Sequence, residues 1–315
     1  MRKWKRQVKW NDVLMKGTEN DIVVPVMGAT GVGKSTFINN FMGKNAVVVG
    51  HDLKSCTAQL TPVISPITVP AHLQGKRLIL VDTPGFDDTY TSDSEILRRI
   101  AIWLASSYDS KMKLGGIIYL HNISQPRMLG SDRQNLAVFQ DLCGNKALSS
   151  VIIGITKSGD IPQEVSEKRC NELSSTYWKE MINAGATVHP LGNDATSAQK
   201  LLTIILENIK LSKSPSEPRN EFVEIQKEVV DQAKLVSETK AGKQLKSTLK
   251  EVLEMQKKLA LQAENDAERR KEHSDNVNKL DVQINALKVP FSRRLLAAFG
   301  LVSALVLKKS LLICL

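Results

Sequence analysis

Apolar residues fall in short unbroken runs along the first two thirds of this chain. DIVVPVM (21–27), RLILVD (77–82), GGIIYLHNI (115–123), VIIGIT (151–156) and the shorter ATVHPL (186–191) each read as a buried strand. Pro25 inside the first run forfeits one ladder hydrogen bond. Between the runs the spacing turns helical. Ile96, Ile100, Trp103 and Leu104 mark a helix over 93–107, and Leu136, Phe139 and Leu142 mark one over 131–142. A single helix is expected over 163–183, with Trp178 and Met181 near its end, and another over 195–211. A glycine-rich turn after the first run leads into a short helix from Ser35 to about Phe41, and 44–62 has no period and reads as a loop. Strands apolar throughout, alternating with helices, predict a mostly parallel sheet covered on both faces, an α/β three-layer sandwich.

Past residue 211 the pattern changes. LSKSPSEPRN is rich in serine and proline and reads as a linker. Residues 221–288 then hold no proline and one glycine, Gly242, with acids and bases interleaved. Val277, Leu280, Ile284 and Leu287 step by three and four, and Leu245, Leu249, Val252 and Leu259 form a weaker set before them. The two sets do not share a sustained heptad register, so the reading is of long helices, a hairpin against the main domain. The resulting divisions are a basic segment 1–19, an α/β domain 20–211, a linker 212–220, a helical extension 221–290 and an apolar, basic tail 291–315.

Charge sharpens that picture. The 315-residue chain carries a formal +10, but Arg2, Lys3, Lys5, Arg6 and Lys9 open it and Arg293, Arg294, Lys308 and Lys309 close it, leaving the body nearly neutral. A nearly neutral body argues against a nucleic-acid groove. The basic ends suit either plain solvation or an anionic surface, and Trp4 and Trp10 among the first bases would suit such an interface. The run LLAAFGLVSALVL (295–307) is too short for a bilayer-spanning helix of ordinary length. Three readings stand: packing on the main domain, lying on a membrane surface, or a marginal anchor with Lys308 and Lys309 snorkelling. Cys56, Cys143, Cys170 and Cys314 are scattered, with no metal-ligand spacing, which fits a reducing, cytoplasmic setting.

The chemistry concentrates in two motifs. GATGVGKS (Gly28, Ala29, Thr30, Gly31, Val32, Gly33, Lys34, Ser35), followed by Thr36, matches G-x-x-x-x-G-K-[ST] between an expected strand and an expected helix. Glycines let the backbone wrap phosphate oxygens, amide N–H groups and the helix N-terminus face negative charge, Lys34 reaches the outer phosphates and Ser35 meets Mg²⁺. VDTPG (81–85) puts Asp82 at a strand's C-terminal end as a second metal partner, and Gly85 can turn an N–H to the terminal phosphate. The loop between them offers a hydroxyl for the metal shell, Thr57 first and Thr61 second.

GATGVGKSTFIN, the SCT of that loop and DTPGFDD together resemble septins, chloroplast-import (Toc) GTPases and immunity-associated GTPases. Residues 103–131 and 175–186 resemble a set of fungal G-domain proteins. The resemblance spans roughly 20–210 and implies a P-loop NTPase fold, Mg²⁺-dependent GTP binding and hydrolysis, and nucleotide-dependent dimerisation through the G domain. Two positions depart from the wider pattern. Phe86 stands where many small GTPases place a water-orienting glutamine, so slow hydrolysis completed by a partner or second copy is expected. In VIIGITKSGD, Thr156 and Lys157 stand where a guanine-reading pair stands, but Asp160 comes one residue late, behind Gly159. Guanine is the favoured base; adenine, or a merely polar turn, stays open. His121 and His189, each ending an apolar run, have a structural role or a stack on a base as their two readings.

Overall fold

The run Asp21–Met27 is buried at every position, and that decides the architecture: a strand with no polar face needs neighbours on both edges and cover on both sides. The computed structural model describes residues 17–49, 60–65, 70–87, 92–109, 111–209, 223–232, 234, 236–262 and 267–286. β1 (Asp21–Met27) lies at the centre, with β3 (Arg77–Asp82) on one edge and β4 (Lys113–Leu114) and β5 (Ile117–Asn122) on the other. Beyond β5 come β6 (Val151–Thr156) and β7 (Thr187–Pro190), all parallel. β2 (Thr61–Ile64) alone is antiparallel, against β3, giving the order β2-β3-β1-β5-β6-β7. Pro25 is accommodated within β1, opposite Val81.

Alternate residues of each strand feed two cores. Val23, Met27, Ile79, Val81, Ile117, Tyr119, Ile153 and Ile155 face one side, with α2 (Asp93–Asp109) and α3 (Gly130–Cys143). Ile22, Val24, Val26, Leu78, Leu80, Ile118 and Leu120 face the other, with α1 (Lys34–Met42) and α6 (Ala195–Asn208). The expected helix over 163–183 is two helices, α4 (Gln163–Thr176) and α5 (Lys179–Asn183). The chain turns between them because Trp178 and Met181 are both fully buried, and the N–H groups of Tyr177 and Trp178 both end on the Leu173 carbonyl. The loop expectation for 44–62 also fails at its end: Thr61 and Pro62 already belong to β2, an edge strand where a missing N–H is tolerated.

The extension is helical and folds against the first core. α7 (Glu224–Gln226) runs into a π-turn, Lys227–Asp231, followed by the hairpin of α8 (Lys240–Gln262) and α9 (Ala267–Ala286). Val223, Ile225, Val236, Leu245, Leu249, Leu253 and Ile284 join the cluster that holds Phe139 and Trp103. Buried Gln226 donates from Nε2 to the Leu104 carbonyl of α2 at 2.9 Å. Glu228, 1% exposed, pairs with Lys234 at 2.9 Å and accepts the first backbone N–H of α8 from Lys240. Leu245 and Leu249 are core residues as the spacing predicts, whereas Val252 is half-buried and its neighbour Leu253 takes the core position. Among the described residues no helix is long and apolar enough to cross a membrane. Residues 1–16 of the basic segment 1–19, the whole linker 212–220 and the tail 291–315 lie outside the described residues.

Candidate functional site

The end of β1 passes directly into the glycine loop. Gly28, Gly31 and Gly33 all take positive φ, 135°, 77° and 99°. At Gly28 a side chain is doubly excluded, because a Cβ there would also run into the Leu120 carbonyl oxygen of β5. Gly33 then caps α1, aiming the helix N-terminus into the loop. Lys34 is 6% exposed, and its ammonium donates to the carbonyls of Ala29 at 2.7 Å and Gly28 at 3.1 Å. Its cation thus stands inside the curl of the loop, within reach of any anion seated there.

The second motif meets the first across the β1–β3 pair. Thr83 ties the β3 end to the Val26 carbonyl at 2.7 Å. Asp82 is 1% exposed, and the Ser35 hydroxyl donates to its Oδ2 at 2.7 Å. A hydroxyl and a carboxylate are hard oxygen donors, the kind Mg²⁺ takes alongside phosphate and water. The chain then bends over the loop: Thr30 N–H donates to the Phe86 carbonyl at 3.1 Å, and Ala29 and Phe86 form a parallel bridge. Gly85 has no room for a side chain, since a Cβ there would lie 2.6 Å from Thr30 N and 2.7 Å from Lys34 Nζ. Phe86 itself turns into the first core at 3% exposed. Thr61 begins β2 in register with Asp82, while Thr57 lies outside the described residues. Among the described residues no group of three or more His, Cys, Asp or Glu could hold a metal ion.

On the base side, Thr156 closes β6 and its hydroxyl lies 2.8 Å from the Val32 carbonyl and 3.1 Å from the His121 carbonyl. That contact braces the phosphate loop from the strand two places away. Lys157 is exposed with φ 58°, and Ser158–Asp160 form a short turn closed by Asp160 N–H on the Lys157 carbonyl. The Asp160 side chain is exposed. The loop after β7 also reaches this side. Leu191 N–H bonds the Ile155 carbonyl, Asp194 caps α6 through Ser197, and Asn40 of α1 donates to Asn193 Oδ1 at 2.9 Å. Sequence reasoning passed over Asn193; the Gly-Asn-Asp turn closing the fifth apolar run was the available signal. His121 sets its ring edge-on to Trp178, centroids 5.3 Å apart, a structural contact. Burial pushes its imidazole below the ordinary value, with Asp132 pulling weakly the other way. His189 is half-exposed on the edge strand β7.

Residues 21–200, more than half the chain, match the AIG1 family. The chain belongs to the AIG1 family. Among curated relatives, GTP-binding protein A of Dictyostelium discoideum is 25% identical over 174 residues, 55% of this chain and 36% of that protein. The chain therefore spans little more than a third of that relative's length. Similar solved structures include Toc33 from Arabidopsis thaliana in complex with Mg²⁺ and GMPPNP (17% identity, 64% of this chain and 90% of that one, TM-score 0.48). Era from Aquifex aeolicus bound to GDP·AlF4⁻ is another (17% identity, 64% and 61%, TM-score 0.44). The parallel strand order and the glycine loop at the β1–α1 turn carry the P-loop fold on their own.

Proposed function

We propose that this AIG1-family chain is a GTP-binding switch that hydrolyses GTP slowly with Mg²⁺ and needs a partner or second copy for efficient turnover. The observation that carries the reading is the meeting of three groups: Lys34 inside the loop, Ser35 hydrogen-bonded to Asp82, and Gly85 pressed against Thr30 and Lys34. Lys34 neutralises charge on the outer phosphates, Ser35 and Asp82 hold the metal, and Gly85 places its backbone where it senses the terminal phosphate. Bound Mg²⁺ would offset phosphate charge during transfer. Thr57 completes that shell. Lys157 packs along the base and Asp160 reads guanine after its exposed turn closes inward; kinship with GTP-binding protein A supports this assignment.

The slow rate follows from Phe86. Its ring is buried in the core, so the residue beyond Gly85 brings no group that orients water. The same observation favours a second reading, a nucleotide-bound scaffold without useful turnover. Dimerisation is important for the GTPase activity of the chloroplast translocon components atToc33 and psToc159, and the proposal carries that dependence over to this chain. Phosphate release per site, followed across a wide range of protein concentration, separates the readings. The switch predicts a rate that rises with concentration; a negligible rate at every concentration supports the scaffold; a fast, concentration-independent rate contradicts both.

A further inference from the structure

The last turns of α1 carry a buried amide that phosphate and metal binding leave unused. Asn39 is 9% exposed. Its Nδ2 donates to the Val47 carbonyl and its Oδ1 accepts the Val47 N–H, each at 2.9 Å. The two bonds also fix which way round the amide sits, since one orientation alone satisfies both. By Val47 the helix has already ended, at Gly43 with φ 64°. Val47 belongs to the core cluster of Phe37, Phe41 and Val63. A residue in an irregular stretch thus receives from one side chain the two partners that a neighbouring strand would otherwise supply.

This clasp fixes one end of a span. From Val47 the chain continues through residues 50–59, outside the described residues, to Thr61. Both ends of that span are pinned beside the proposed metal donors. Asn39 follows Ser35 by four residues on α1, so the two side chains share one face of the helix, a turn apart. Thr61 opens β2 in register with Asp82. The span therefore begins from the Ser35 face of α1 and ends against Asp82, and those two residues are themselves joined at 2.7 Å.

We propose that Asn39 is a positioning residue for the Mg²⁺–triphosphate site. Its clasp on Val47 sets where the span that carries Thr57 starts, and so how large a share of the molecules is ready for metal and terminal phosphate. Asn39 itself touches neither. The proposal rests on the reading of this site as a GTP switch and names a residue that tunes it. Apparent affinity falls in proportion to the competent share, so loss of the clasp weakens the ligand that engages the span and spares one that does not. By linkage, that ligand in turn strengthens the clasp.

Two measurements on the full chain test this. In the first, a fluorescent non-hydrolysable GTP analogue with Mg²⁺, and fluorescent GDP in EDTA, are titrated against the parent and Asn39→Ala. The variant should bind the Mg²⁺–triphosphate about tenfold more weakly, as expected for two lost buried hydrogen bonds, and GDP in EDTA as the parent does. The second needs no variant and so does not depend on how Asn39→Ala folds. Hydrogen exchange resolved at the Val47 amide of the parent protein should slow about tenfold on adding Mg²⁺ with the GTP analogue, and should not change on adding GDP in EDTA. Equal weakening of both nucleotides, or a lowered melting temperature with a parent-like affinity ratio, makes Asn39 a structural residue and overturns the proposal. So does a Val47 amide whose exchange is the same with and without the triphosphate. A parent protein that binds no guanine nucleotide overturns the switch reading, and the proposal with it, before any variant is compared.

Discussion

Adding one methyl group at Gly85 is expected to cripple phosphate binding while leaving the fold intact. Gly85 is not among the glycines with positive φ, so alanine meets no backbone strain there and acts only through space. Its Cβ would lie 2.6 Å from Thr30 N and 2.7 Å from both Lys34 Nζ and Thr30 Oγ1, roughly 0.8 Å inside ordinary contact. Lys34 can withdraw, being the far end of a flexible side chain. Thr30 N cannot, because it is backbone held to the Phe86 carbonyl. The loop must therefore open, or Lys34 must leave the seat of the phosphates. Losing one charge-assisted hydrogen bond costs about 1.5–3 kcal/mol, which is roughly a 10- to 150-fold fall in affinity. Titration with a fluorescent GTP analogue in Mg²⁺ measures it. Gly130→Ala is the control, since nothing lies within 4 Å of a Cβ there. Parent-like affinity in Gly85→Ala, at an unchanged melting temperature, would refute the claim that this glycine abuts the phosphate seat.

Three further outcomes follow from the same geometry. Ser35→Ala removes the hydroxyl that donates to Asp82, so the Mg²⁺ concentration needed for tight nucleotide binding should rise about tenfold, while binding in EDTA stays the same; an unmoved Mg²⁺ dependence contradicts the metal role. Glu228→Ala strips Lys234 and the start of α8 of their buried partner, and should lower the unfolding free energy in urea by about 1–3 kcal/mol; an unchanged midpoint would mean that the extension is not held there. His121 is held below its ordinary value, by burial first, so the unfolded chain binds more protons than the folded one just below neutrality. Stability should fall as pH drops from about 7 toward 5, and His121→Gln should flatten that slope; an equal slope in the variant contradicts the buried neutral ring.

The parts of this molecule that local pattern dictates were legible in the sequence. Four apolar runs became β1, β3, β5 and β6 because residues buried on both faces leave no polar positions to confuse the period, while the fifth became the short, partly exposed edge strand β7. The glycine loop and DTPG were legible because each spacing answers a local backbone demand, as positive φ at Gly31 and Gly33 shows. β2 was hidden by its four residues, its Pro62 and its edge position. The break at Tyr177 was hidden because it arises from where Trp178 is buried, which is a tertiary fact. The Asn40–Asn193 contact and the clasp of Gln226 on Leu104 span 153 and 122 residues, distances over which no spacing rule operates. The base contacts stayed open for a different reason: Lys157 and Asp160 are exposed, and an exposed turn is not fixed by its own packing.

The central claim is that this site binds guanine nucleotide through Lys34. Its most direct test is titration of fluorescent GTP and ATP analogues against the full chain in Mg²⁺, beside Lys34→Ala. The account predicts clear preference for GTP, with affinity lost in the variant. Equal affinity for the two, a preference for ATP, or binding that survives Lys34→Ala would contradict it.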